Sequence, residues 1–260
     1  MNNSNITHKI FLSLMIPFIL STITQPLLGA ADIAVVGKLN NVNYISGVSI
    51  GTLIFNTIYW IFGFLRVSTT AFSAQSSHYS DKKRVSDIFF RPIMIALFIS
   101  LIMVIFQNII FESSMKFIKP ELEIEKAAIT YFKILIWGAP FVLTNYVLLG
   151  WLMGLGNIKA SMTMQISGNL LNIILYIIFV TVFNFKVEGV AYATLISQIF
   201  STFLGVYFIF PYTYHKYIDL KSIINKKELI SIFCVNRDLM VRTICLVSHN
   251  NLFTMASSNL

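Results

Sequence analysis

Long, nearly uninterrupted apolar runs, separated by short segments that hold most of the charge, limit what this chain can fold into more than any other feature. Six of them lie near residues 10–36, 45–77, 89–111, 127–154, 161–183 and 189–213, and a weaker seventh begins near residue 229. A helix crosses the hydrocarbon core of a bilayer with about 20 mostly apolar residues, and each of the six runs is long enough. The runs are continuous rather than alternating with period two, which argues against a membrane β-barrel. Composition agrees: 56% of residues are hydrophobic and 12% charged, whereas a soluble domain carries roughly 25% charged residues. With 23 Phe against 12 Gly and 6 Pro, disordered and low-complexity chains are excluded. The expected fold class is all-α: a polytopic membrane helical bundle of six transmembrane helices plus the start of a seventh.

This pattern divides the chain into an N-terminal segment (1–9), a six-helix bundle (10–213), a basic linker (214–228), and an incomplete seventh helix with a polar tail (229–260). The first run is too long for a signal-peptide core and lacks a small-residue cleavage pattern, so it is expected to persist in the mature chain. The net charge of +8 sits in clusters between the runs, not along a groove or recognition helix, so the expected partner is the lipid bilayer and not nucleic acid. Lys9, Lys82, Lys83, Arg84, Arg91, Lys159, Lys216, Lys221, Lys226 and Lys227 fall on one side, and Lys38, Lys116, Lys119, Lys126 and Lys186 on the other. The positive-inside bias then places the N-terminus in the cytoplasm of a multi-pass cell-membrane protein. Cys234 and Cys245 have no CxxC or Cys/His context and are expected to be buried thiols.

An ionisable group at bilayer depth costs at least about 2.5 kcal/mol on insertion scales and is a functional hypothesis by default. Ten of the eleven acidic residues lie in loops or at span ends; Asp32 alone falls inside an apolar run. It reads either as a structural carboxylate bonded to a neighbouring helix or as a group whose proton or ion occupancy is coupled to transport. Pro17 and Pro26 share its span, and each removes a backbone donor, giving candidate bending points or ordinary membrane-helix prolines. In the fifth run Gln165, Ser167, Asn169 and Asn172 form a polar group, with Asn169 and Asn172 on one face. Thr194 and Ser197 repeat that spacing in the sixth. These side chains either bond helix to helix, for about 0.6 kcal/mol each, or line a transport pocket. Arg66 is the other charge within a run and must be paired or wetted, with Asp32 a possible partner. No nucleophile–base pair or metal-ligand spacing appears, so neither an enzyme nor a bound cofactor is expected. Gly150, Gly154 and Gly156 lack the context of a phosphate loop and are read as close-packing positions.

Together these residues resemble the multidrug and toxic compound extrusion (MATE) transporters, in particular their DinF-like (DNA-damage-inducible F-type) branch. The resemblance runs from about residue 8 to 245. It is carried by Ile16-Pro17, Pro26-Leu27-Leu28-Gly29-Ala30-Ala31-Asp32, Gly63-Phe64-Leu65-Arg66, Ala74-Gln75 and Gly150-Trp151-Leu152-Met153-Gly154. It continues in Gly168-Asn169-Leu170-Leu171-Asn172-Ile173 and Gly189-Val190-Ala191-Tyr192-Ala193-Thr194. What it implies is a fold of two six-helix bundles around a central cavity, exporting cationic or amphiphilic compounds in exchange for protons or sodium. Asp32 would be the ion-coupling site, with bending at Pro17. Asn172 and Thr194 would belong to the same polar pocket. Branch members often carry a second acid where this chain has Tyr176; a phenol, with a reference pKa near about 10, does not replace it, so coupling would rest on Asp32 with Tyr176 as a hydrogen-bonding neighbour. The family is also about twice this long. The resemblance thus implies a chain ending in what corresponds to helix seven, expected to be C-terminally truncated. Alternatives to an ion-coupled antiporter are a truncated, non-transporting remnant and a flippase-like carrier of an amphiphilic or lipid-linked substrate.

Overall fold

In lipid every backbone N–H and C=O must find a partner within the protein, and a long apolar run meets that demand by coiling into a helix. A computed structural model describes residues 41–76 and 81–212, with the isolated positions Gly37, Arg237, Val241 and Cys245. Its helices are α1 (Val42–Ile61), α2 (Phe64–Ser76), α3 (Lys82–Ile105), α4 (Gln107–Ile118), α5 (Leu122–Leu135), α6 (Ala139–Gly154), α7 (Ile158–Ile177) and α8 (Val187–Ile209). Among the described residues there is no strand. Among the described residues five units are long and apolar enough to cross a membrane: Val42–Ser76, Lys82–Ile105, Leu122–Gly154, Ile158–Val182 and Val187–Tyr212. They fall on the second to sixth runs. The first run, with Pro17, Pro26 and Asp32, lies outside the described residues, as do the expected limits of the linker and most of the seventh segment.

Two spans read from sequence as single helices are broken. The second stops at Phe62, whose N–H donates to Ile58 O, and restarts through 3-10-type bonds from Leu65 to Phe62 and from Arg66 to Gly63. The fourth tightens into a 3-10 turn over Ile136–Gly138 before α6, whose first turn contains Pro140. Proline has no N–H to give and is preorganised for a helix start. The third span starts earlier than its apolar run. Asp81 caps α3 by accepting from the Lys83 N–H at 2.9 Å, and the helix takes in Asp87 and Arg91. Both are buried and pair at 3.8 Å. Arg91 is therefore a helix residue inside the bundle, not a loop charge, because hydropathy alone does not register a polar first turn that packs inward.

α2 packs most extensively on α6, α1 on α5, and α7 on α8, while α3 closes on α6 and α8 on both α5 and α6. Lipid tails are as apolar as leucine, so helix association in a membrane draws on close packing and not on escape from water. The glycines carry this. A Cβ at Gly150 would lie 2.5 Å from the Arg66 carbonyl oxygen, and one at Gly154 2.5 Å from that of Thr70. Gly156 differs from the packing expectation: it has φ +74 with nothing within 4 Å, and it turns the chain out of α6. Phe132 stacks on Phe55 with centroids 5.0 Å apart, and Trp151 meets Phe89 edge-on at 4.9 Å. Phe98, Leu101, Ile105, Phe203 and Tyr207 face outward, as a lipid-contacting surface requires. Cys245 is free and exposed, contrary to the buried-thiol expectation.

Candidate functional site

Both broken spans border one cavity of about 480 Å³. Backbone interruptions at membrane depth are tolerated where protein or a water-lined cavity satisfies the freed groups. Tyr59 and Arg66 flank the first break on the cavity wall, and Leu135, Gly138 and Val142 flank the second. The opposite wall comes from α7 and α8. Gln165, Asn169, Asn172 and Tyr176 recur at intervals of four, three and four along α7, the spacing of one helix face. Thr194, Ser197, Gln198 and Ser201, at intervals of three, one and three, likewise share one face of α8.

The two faces are joined by a network with a defined polarity. Asn172 Nδ2 donates to Ser197 Oγ at 3.0 Å and, more weakly, to Thr194 Oγ1 at 3.4 Å. Thr194 Oγ1 lies 2.8 Å from the Tyr176 hydroxyl and 3.1 Å from Val190 O. A hydroxyl has one proton and two lone pairs. With its proton on the Val190 carbonyl, Thr194 accepts from both Asn172 and Tyr176. Ser197 Oγ in turn donates to Thr194 O at 2.8 Å. The network leaves one group open. Asn172 is buried, yet its Oδ1 has no hydrogen-bond partner among the described residues, an arrangement that costs about 1–3 kcal/mol unless something else fills it.

A second network lies beside the first. Asn145 Nδ2 donates to Gln198 O and Oε1 at 3.2 and 3.1 Å, and the Thr202 hydroxyl donates to Asn145 Oδ1 at 3.0 Å. Across the cavity the Thr52 hydroxyl lies 3.3 Å from the Tyr131 OH. The wall can thus offer amide and hydroxyl donors and acceptors together with aromatic faces.

The structure therefore brings Asn169, Asn172, Tyr176 and Thr194 to one cavity, with Ser197 and Gln165 beside them. Ser167, grouped with them in sequence, is not on its wall. Asp32, Pro17 and Pro26 lie outside the described residues. Sequence reasoning missed Asn145, Tyr146, Gln198, Tyr131, Thr52 and Asn56. The available signal was an amide inside an otherwise apolar run, as at Asn145, and the four-residue step from Thr194 to Gln198. Arg66 stood out by its energetic cost but was not assigned to the pocket it lines.

A sequence profile of the MatE family matches residues 17–178. DNA damage-inducible protein F of Escherichia coli (strain K12) is 28% identical over 240 residues, covering 90% of this chain and 51% of that protein. Among solved structures, a multidrug resistance MATE family transporter of the MOP superfamily in an outward-facing conformation superposes with a TM-score of 0.77 at 25% identity, over 89% of this chain and 51% of the other. A MOP superfamily transporter from Pyrococcus furiosus, described as having a binding pocket of reverse polarity, gives a TM-score of 0.76 at 25% identity over the same shares. A MATE structure in a bent conformation gives 0.77 at 25%, over 90% and 52%. The chain spans about half the length of the relatives it matches. With a profile match over more than half of its sequence, this multi-pass helical membrane protein belongs to the MatE family of transporters.

Proposed function

We propose that this chain supplies one wall of an ion-coupled export pathway for amphiphilic small molecules across the cell membrane, with a proton or sodium ion moving inward through Asp32. The observation that carries the reading is the cavity itself. Its volume of about 480 Å³ lies within the roughly 300–1,000 Å³ typical of small-molecule sites. Its lining alternates aromatic faces with the amides and hydroxyls of α7 and α8. Asn169, Asn172, Tyr176 and Thr194 are the proposed transport pocket. Asn172 Oδ1, buried and without a partner among the described residues, is the acceptor left for a substrate donor or an ordered water. Pro17 and Pro26 are the proposed bending points of the first span, and the distribution of basic residues supports a cytoplasmic N-terminus. Alternating access works by one bundle moving against another. The facing wall is accordingly assigned to a second six-helix bundle, whether continuous with this sequence or contributed by another chain.

Dye efflux from cells producing the chain, with and without Asp32→Asn, tests this reading. Efflux is expected from the unaltered chain and should be lost in the variant. Separate collapse of the proton and sodium gradients then names the coupling ion. Equal efflux from both chains would remove Asp32 from the mechanism.

A further inference from the structure

Among the described residues that line the cavity, Arg66 bears the one formal charge. No Asp or Glu stands among them. A guanidinium has five N–H donors in a planar fork; the hydrogen bond it makes among the described residues runs from Nη2 to the Met153 thioether, at 3.3 Å, a weak acceptor. Among the described residues no carboxylate pairs with it, in contrast to Arg91, which pairs with Asp87 at 3.8 Å. The backbone beneath Arg66 is also held in place, since α6 approaches so closely at Gly150 that a Cβ would sit 2.5 Å from the Arg66 carbonyl oxygen. The site thus has a fixed cation at membrane depth, surrounded by neutral amides, hydroxyls and rings. An arginine retained in such a place needs a counter-charge or water, and its fork matches a phosphate or carboxylate in two-point geometry.

We infer that the pocket recognises amphiphiles through an anionic group, a phosphate or carboxylate bound by Arg66, while the amides of α7 and α8 take the neutral polar portion. This rests on the transport reading and sharpens it: within the cationic or amphiphilic compounds that the family resemblance implies, the substrate class becomes amphiphiles with an anionic or zwitterionic headgroup. The same headgroup chemistry is available from a free single-chain amphiphile or from a membrane lipid.

The test uses the whole chain purified in a neutral maltoside detergent, with binding of dodecyl phosphate and dodecyltrimethylammonium measured calorimetrically. Dodecyl phosphate should bind at least tenfold more tightly. Arg66→Gln should abolish that preference, and Arg66→Lys, which keeps the charge but not the fork, should retain part of it and control for folding. Competition by added phosphatidylglycerol assigns the site to a lipid headgroup; its absence assigns it to a free amphiphile, and the shared chemistry stands in both cases. Equal binding of the two probes, no binding of either, or a preference unchanged in Arg66→Gln overturns the inference. So does phosphate binding that appears only in Asp32→Asn, which would assign Arg66 to Asp32. Tighter binding of the ammonium probe, with efflux still dependent on Asp32, would overturn the anionic class and leave the transport reading standing.

Discussion

Asn172→Leu separates a residue that binds substrate from one that merely joins helices. The swap keeps the branching of the side chain but enlarges it at a buried position, so overpacking should cost about 1–3 kcal/mol. It removes two interhelical hydrogen bonds, to Ser197 at 3.0 Å and Thr194 at 3.4 Å. Such bonds average about 0.6 kcal/mol each in membranes, a loss near about 1.2 kcal/mol. It also removes Oδ1, a buried acceptor with no partner among the described residues, whose relief is worth about 1–3 kcal/mol. Thr194 keeps the Tyr176 hydroxyl as neighbour, and Ser197 keeps the Thr194 carbonyl. At mid-range the relief offsets the packing cost and leaves a net loss of about 1 kcal/mol, a shift of a few degrees in Tm for a chain of this size. Transport should nevertheless fall severely, because the open acceptor is gone from the wall. Thermal unfolding in neutral detergent, paired with dye efflux, reads both quantities. Destabilisation well beyond 2 kcal/mol, estimated roughly from the same bond and desolvation values, with efflux falling only in proportion to lost protein, would show that Asn172 is structural glue. Full efflux from a stable variant would refute its place in the pathway.

Four further outcomes follow from the packing and the networks. Gly150→Ala forces a Cβ toward the Arg66 carbonyl and Thr69 and should destabilise by about 1–3 kcal/mol; Gly156→Ala meets no atom but must hold φ +74, costing about 1–2 kcal/mol. Thermal unfolding distinguishes both from wild type, and an undiminished Tm for Gly150→Ala would contradict the α2–α6 contact. Tyr176→Phe removes one hydrogen bond to Thr194, for about 0.6 kcal/mol, and should leave the pH profile of efflux unchanged if Asp32 alone couples. A profile shifted in Tyr176→Phe would place the phenol in the ion path. Phe132→Ala empties the stack between Phe55 and Phe111 and should cost about 3–5 kcal/mol, read as loss of folded protein in detergent.

Hydropathy made the spans legible because bilayer thickness sets a minimum length that few soluble segments imitate. It did not reveal the breaks at Phe62–Gly63 and Ile136–Gly138, since both interruptions are apolar and leave the average unchanged. The inward pair Asp87–Arg91 was hidden for the opposite reason: two charges near a span end look like loop residues unless their helical face is known. Asn169, Asn172 and Thr194 were readable because polar residues three apart share a face, and a polar face on a membrane helix must meet protein or water. Which polar face meets which is a tertiary fact. The partnership of Asn145 with Gln198, more than fifty positions apart in the chain, left no local trace. Arg66 announced its cost in the sequence, but its place on the cavity wall depends on α2 docking against α6.

The central claim, that substrate moves along the polar wall of α7 and not over its outer face, is open to direct measurement by thiol labelling. In a background carrying Cys234→Ser and Cys245→Ser, Asn169→Cys places a thiol on the cavity wall. Leu170→Cys places one on the neighbouring exposed, lipid-facing surface. A membrane-impermeant, charged thiol reagent should label the first and spare the second, and a transported dye should slow the labelling. Equal labelling at the two positions, or labelling at 169 that no dye slows, would contradict the account.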